Sequence, residues 1–182
     1  IDARVRALGN VIGSFIAVAG IVLLPAGTAS AAPFHGAAVS AQPPPGDSDR
    51  RLANGQFVRS GSRTGKGELT IDNGGGHDAV ITMAMNGNPV YSVYVRNGAT
   101  YTVRGIRDST YEIFFTTGTD WDSQNRDFTR ERALQRFDQT FPFTTTRTAT
   151  ELRWTTGKIT LNPVVGGNAS TSSVDPKDYP AV

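Results

Sequence analysis

From Glu68 to Leu161 the large apolar residues recur with a period of two rather than 3.6, in short runs broken by Gly, Asn, Asp and Ser. That pattern confines the chain to strands, because a residue pair two apart shares one face of a pleated strand and opposite faces of a helix. Leu69 and Ile71 alternate with Glu68, Thr70 and Asp72, so the first two are expected inside. Residues 79–85 are apolar on both faces, as a central strand requires. Runs 90–96 and 100–103 flank Asn97-Gly98, a pair that tolerates positive φ and predicts a tight hairpin. The tri-glycine run 74–76 is expected to be a second hairpin loop. Further strands are expected at 109–117, 141–146, 148–154 and 158–162, and the one helix candidate is 127–137, where Phe128, Leu134 and Phe137 share a face. An extended reading of 132–137 stands beside it. Seven or eight short strands with frequent turns and no long helical pattern predict an all-β fold, an antiparallel β-sandwich.

The ends of the chain read differently. Arg4 and Arg6 precede an apolar run from Val11 to Leu24, followed by Pro25 and by Ala29-Ser30-Ala31, the layout of a secretory signal cut after Ala31. The competing reading is an uncleaved membrane anchor, since 11–32 is long enough to cross a bilayer. Residues 32–66 hold few large apolar side chains but three consecutive prolines and a Gly/Ser-rich stretch, so they are expected to be a disordered linker. The organisation predicted is therefore a signal peptide at 1–31, a linker at 32–66, a sandwich at 67–165 and a polar tail at 166–182, in which Val174 and Tyr179 either dock or stay free.

Composition narrows the chemistry. The chain has no cysteine, which excludes thiol nucleophiles, thiolate metal sites and disulfides. Its net charge is +2, and +1 once the N-terminal segment is set aside, so no bulk excess of Lys and Arg signals a nucleic-acid or anionic-membrane partner. Contact with a membrane is expected only through the N-terminal segment, if it is retained.

The stretch 103–115, with Gly105, Ile106 and a turn before Thr110-Tyr111, resembles a segment common in transthyretin-like and fibronectin-like sandwiches. It implies a Tyr111 ring at a sandwich corner with its hydroxyl on a backbone group. A longer assembly, including 93–96, 117–122, 128–130, 135–138, 143–146 and 163–169, resembles an uncharacterised family of exported proteins from high-GC Gram-positive bacteria. That resemblance covers about residues 67–170 and implies export and a sandwich of immunoglobulin-like or transthyretin-like type. It brings no reaction, ligand or catalytic residue with it.

The densest polar segment runs from Asp120 to Arg132. Asp120, Asp122, Asn125 and Asp127 offer oxygens for calcium, but without the glycine kink or the flanking helices of a calcium loop. A glycan site would use Trp121 as a stacking surface, with Asp120, Asp122 and Arg126 as hydrogen-bonding groups and Tyr94 as a second exposed ring. The alternative is structural: Trp121 and Phe128 pin a long loop to the sandwich while its acids pair with Arg126, Arg130 and Arg132. Arginines 126, 130, 132 and 136 are interleaved with Asp127, Glu131 and Asp138, a poor phosphate-binding stripe. His77 in the glycine turn is the only histidine near the strands, and neither a Gly-x-Ser-x-Gly elbow nor a His-Glu-x-x-His is present. No catalytic residue, metal ligand or cofactor is assigned. The expectation is an exported, non-enzymatic binding or structural module, secreted or on the cell surface, whose partner is a cell-wall glycan or another exported protein. The alternative is a minor hydrolase or metal-binding protein using the loop from Asp120 to Glu131.

Overall fold

The computed structural model describes residues 10–18, 49–161 and 169–181. The strands in chain order are β1 (Asn10–Val18), β2 (Phe57–Ser60), β3 (Gly67–Asn73), β4 (Asp78–Met85), β5 (Asn88–Val95), β6 (Ala99–Ile106), β7 (Ser109–Asp122), β8 (Asp127–Phe143), β9 (Thr145–Arg147), β10 (Leu152–Thr160) and β11 (Thr171–Ser173), followed by a single 3-10 turn at Pro176–Asp178. They form an all-β sandwich. One sheet has the order β1-β10-β3-β6, with β9 also paired to β10, and the other has the order β11-β8-β7-β4-β5-β2.

The period-two pattern works as expected in β3. Leu69 and Ile71 are fully buried, while on the outer face Thr70 Oγ1 lies 2.9 Å from Thr102 Oγ1 and Arg104 reaches Glu68 at 3.0 Å. Leu69, Ile71, Ile81, Val93, Val103, Ile113, Phe115 and Ile159 meet between the sheets in one core. Each fully buried aliphatic or aromatic side chain there contributes about 1.5–3 kcal/mol. The helix candidate at 127–137 lies within β8, in its extended reading: register with β7 is enforced by Phe137, Phe141 and Phe143, all of which face the core.

Several connections differ from the sequence expectation. The turn at Asn97-Gly98 forms, with Ala99 N donating to Arg96 O at 3.1 Å and Gly98 at φ 72°, but it joins β5 of one sheet to β6 of the other. It is a corner rather than a hairpin. The tri-glycine run is likewise a crossover from β3 to β4, not a hairpin loop. The corner is stitched by the buried Asn73, whose Nδ2 donates to His77 O at 2.9 Å and to Val95 O at 3.0 Å. The two-residue hairpin is instead at Asn86-Gly87, with φ 52° and 74°, joining β4 to β5 in the positive-φ conformation that matches strand twist. The sandwich is also not wholly antiparallel: β10 runs parallel to β3, and β1 runs parallel to β10.

The compact unit reaches further at both ends than the segment 67–165. β2 lies in the stretch expected to be linker and pairs with β5, and the chain from Asp49 onward packs on the sandwich. On the other side β11 pairs with β8, Val174 N donates to Leu134 O at 3.0 Å, and the Tyr179 ring stands edge-on to Phe114 at 5.7 Å. The tail therefore docks. Apart from β1, the expected signal peptide, its cut after Ala31 and the first part of the linker lie outside the described residues. No helix among the described residues is long and apolar enough to cross a membrane.

Tyr111 closes the corner between β6 and β7. Its ring is buried against Tyr91 and Phe143, and its hydroxyl donates to Arg107 O at 3.0 Å. Tyr111→Phe removes one partner of that bond and keeps the ring, so it is expected to lower stability by about 1 kcal/mol in a denaturant titration. An unchanged midpoint would deny the hydroxyl its part in the corner.

Candidate functional site

The polar segment singled out by the sequence is the far end of the β7–β8 hairpin. Asp78 pairs with Gly118, so beyond that point β7 outruns β4 and continues with β8 alone. The pairing slips between Thr117 and Thr119, and positive φ at Asp120 (58°) and Glu131 (53°) turns both strands. Gly118 allows the bend, because a Cβ there would lie 2.5 Å from Phe128 Cβ. The hairpin end thereby folds back over the outer face of the larger sheet.

Its apolar side explains why it stays there. Trp121 and Phe128 pack with Val80 and Tyr94 in a second core, closed by Leu52 and Val58. The Tyr94 ring lies 5.6 Å from Trp121 and 5.8 Å from Phe128, and Trp121 lies 5.1 Å from Phe128. Trp121 is only 2% exposed and Tyr94 0%, so neither ring can stack on a glycan as the binding-surface reading required. Burial overturns that part of the expectation: folding back the hairpin converts two surface-candidate aromatics into core.

A strap, residues 49–56, covers this second core. Trp121 N donates to Arg50 O and Gly55 N to Tyr94 O, each at 2.8 Å, while Arg96 Nε reaches Leu52 O at 2.8 Å. Arg50 grips Asp120 with Nε and Nη2, both at 2.8 Å, and these bonds hold the Asp120 carboxyl well below the usual carboxylate range. Beside it, the buried Asp78 is the polar centre of the strap. It accepts two bonds from Arg51, one from the Tyr94 hydroxyl and one from Asn97 N at 2.8 Å. Burial pushes the Asp78 carboxyl up, but the bonds from Arg51, Tyr94 and Asn97 outweigh it and the net shift is downward. Burial and the bond to Asp78 push the Tyr94 hydroxyl upward.

The other acids of the segment also face donors of the same chain. Asp122 accepts from Gln124 N at 2.8 Å and from Asn125 Nδ2 at 2.7 Å, an Asx turn that lowers its pKa. Asp127 takes Arg132 at 2.7 Å, and Arg130 pairs with Asp49. Arg126 is exposed at the hairpin turn with φ 53°. Exposed pairs such as these contribute about 0–1 kcal/mol each. Among the described residues no group of three or more histidines, aspartates and glutamates is placed to hold a metal ion.

The structure thus brings Trp121, Tyr94, Asp120 and Asp122 to one end of the larger sheet, as components of a latch rather than of an open surface. A cleft of about 200 Å³ remains between Asp49, Arg51, His77, Asp78 and Asp120, and His77 Nδ1 stands 3.5 Å from Glu131 Oε2 beside it. A second, about 440 Å³, lies over Trp121 between Arg50, Leu52, Asp122 and Gln124. Sequence reading missed Arg50, Arg51 and Asp78, the strongest polar ties. Its one available signal was the pair of adjacent arginines that follows Asp49, within a stretch otherwise poor in structure-forming residues. No family model, curated protein or solved structure matches this chain.

Trp121→Ala should cost about 3–5 kcal/mol, as for a large aromatic removed from a packed interior, read from the denaturant midpoint. A change below 1 kcal/mol would return Trp121 to the surface. The Asp78 ties give a pH dependence with a defined sign. Because the folded pKa is depressed, the stabilisation is complete above the ordinary carboxylate range, near 4, and is lost as pH falls through the lower folded value. Asp78→Asn should flatten that part of the acid limb of a melting-temperature profile, and an unchanged slope below pH 4 would remove Asp78 from the account.

Proposed function

We propose that this chain is an exported, non-enzymatic β-sandwich that serves as a binding or structural module at the cell surface or outside the cell, with a wall glycan or another exported protein as partner. The observation that carries the reading is the commitment of the polar segment to its own fold. Asp78, Asp120, Asp122 and Asp127 each face donors from the strap or the hairpin itself, and the aromatic rings among them are buried. A hydrolytic pair needs carboxyl groups open to substrate and of opposed protonation state. Here Asp78, Asp120 and Asp122 are all shifted in the same direction, toward the ionised form, by donors that hold the hairpin closed. The interleaving of acids with the arginines supports the exclusion of nucleic acid as partner, since Arg130 and Arg132 already pair with Asp49 and Asp127.

The test is the intact mass of the protein in separate culture-medium, wall and membrane fractions of its native host. A species beginning at Ala32 and held on the wall is the expected result. A full-length chain found only in the cytosol would overturn the reading.

A further inference from the structure

A sheet edge exposes a row of unpaired N–H and C=O groups, and a stable β-protein shortens, bends or covers each one. All but one of the edges among the described residues are handled by the domain itself, that of β9 because the strand is only three residues long. In the larger sheet the edge strands are β2, four residues, and β11, three residues, both very short. In the smaller sheet β6 is kinked at Gly105, φ 82°, where Gly65 N donates to Gly105 O at 3.0 Å, and Asn54 Nδ2 donates to Thr100 O at 3.2 Å. The remaining edge differs: the end strand there is β1, and without it the edge would be the outer side of β10. β10 is nine residues long, contains no proline and carries Lys158 and Arg153 as its only charges. What covers it is β1, which runs parallel along its length from Asn10 opposite Arg153 to Val18 opposite Thr160. β1 belongs to the segment that the sequence marks for removal after Ala31.

We propose that the outer edge of β10 is a strand-binding site, filled in the full chain by its own Asn10–Val18 and, once that segment is removed, by a parallel, uncharged extended segment of another exported polypeptide. The inference rests on the export reading, which makes β1 a temporary occupant. The chemistry of the incoming segment is set by the occupant the structure shows: Asn10 to Val18 contains no charged residue and consists of β-branched, small and aromatic residues with one serine and one asparagine. Recognition of this kind takes affinity from main-chain hydrogen bonds and register from alternate side chains, so it needs no apolar patch. Among the described residues Met85, 39% exposed, is the one large hydrophobic left on the surface. The parallel sense is favoured because β10 already pairs parallel with β3 on its other side.

The test uses the full chain and a full chain carrying Phe15→Pro with Ile16→Pro. Alternate N–H groups of an edge strand point toward its neighbour, so two adjacent prolines remove at least one ladder donor. Amide hydrogen exchange of residues 153–160 should be at least about tenfold faster in the variant, with β4 and β7 unchanged as the control for folding. A labelled synthetic peptide of the Asn10–Val18 sequence with a lysine solubility tail should bind the variant, restore the slow exchange and leave the parent chain unbound. Equal exchange in both proteins, binding to both alike, or no binding to a variant whose edge has opened would each overturn the proposal. If β4 and β7 also lose protection, the single variants Phe15→Pro and Ile16→Pro, one of which removes a donor facing β10, replace the pair, and the one with the faster exchange is held to the same outcomes. Mass analysis of the culture fractions reports export separately. A closed edge in an exported, processed protein sinks the strand site alone, whereas a cytosolic full-length chain sinks the export reading and leaves the exchange result standing.

Discussion

Strand β4 is buried on both faces, and the remainder of the architecture answers that constraint. Its inward residues Ala79, Ile81 and Met83 enter the core between the sheets, while Val80, Thr82 and Ala84 point outward and are also fully buried. A single sandwich covers only one face of each sheet, so the outer face of β4 needs a second cover. Three separate pieces provide it: the strap at 49–56, the folded end of the β7–β8 hairpin, and the C-terminal tail with Tyr179. Thr82 and Ser92 satisfy one another at 3.0 Å beneath that cover, which removes the cost of burying two hydroxyls in an apolar layer.

The covering pieces are held by a mixture of forces with different ranges. Apolar contact among Trp121, Phe128, Tyr94 and Val80 supplies most of the stabilisation, and Asp78 supplies position. With Arg51, Tyr94 and Asn97 on one carboxylate, the strap, β5 and the corner after β5 meet at one point, and removal of any partner leaves a buried charge incompletely matched. The arginine pairs nearer to solvent add orientation more than free energy. A polar segment that looks available for chemistry in the sequence is therefore absorbed by a packing problem on the outer face of the larger sheet.

The strand pattern was legible because burial on one face imposes a two-residue period that any reader of β3 can recover. Eight strands lie between Gly67 and Thr160, and the double-faced apolar run 79–85 is indeed central. Turn chemistry was legible only locally. Asn86-Gly87 and Asn97-Gly98 both adopt positive φ at glycine, yet one closes a hairpin and the other crosses between sheets, since a turn's dihedral angles do not specify which strand the chain meets next. The parallel placement of β10 beside β3 was hidden for the same reason: its partner lies about 90 residues away, and no local feature records it. The latch was half legible. Two large aromatics, Trp121 and Phe128, inside a polar run signal a pinned hairpin, whereas Arg51 and Asp78 lie 27 residues apart in stretches that resemble linker and loop.

What the sequence determined by itself was everything that depends on neighbours along the chain. This includes the strand class, the inward and outward faces, the absence of any thiol chemistry and the signal-like opening that leads to the expectation of export. Tertiary structure alone decided which strands share a sheet, which aromatics are core, which acids are spent on internal pairs and which edge is closed by β1. The physical reason is that periodicity records the polarity of a face, which is a local property of φ, ψ and side-chain type. Pairing and burial instead depend on contacts between distant segments, whose free energy exists only once the chain has closed around β4.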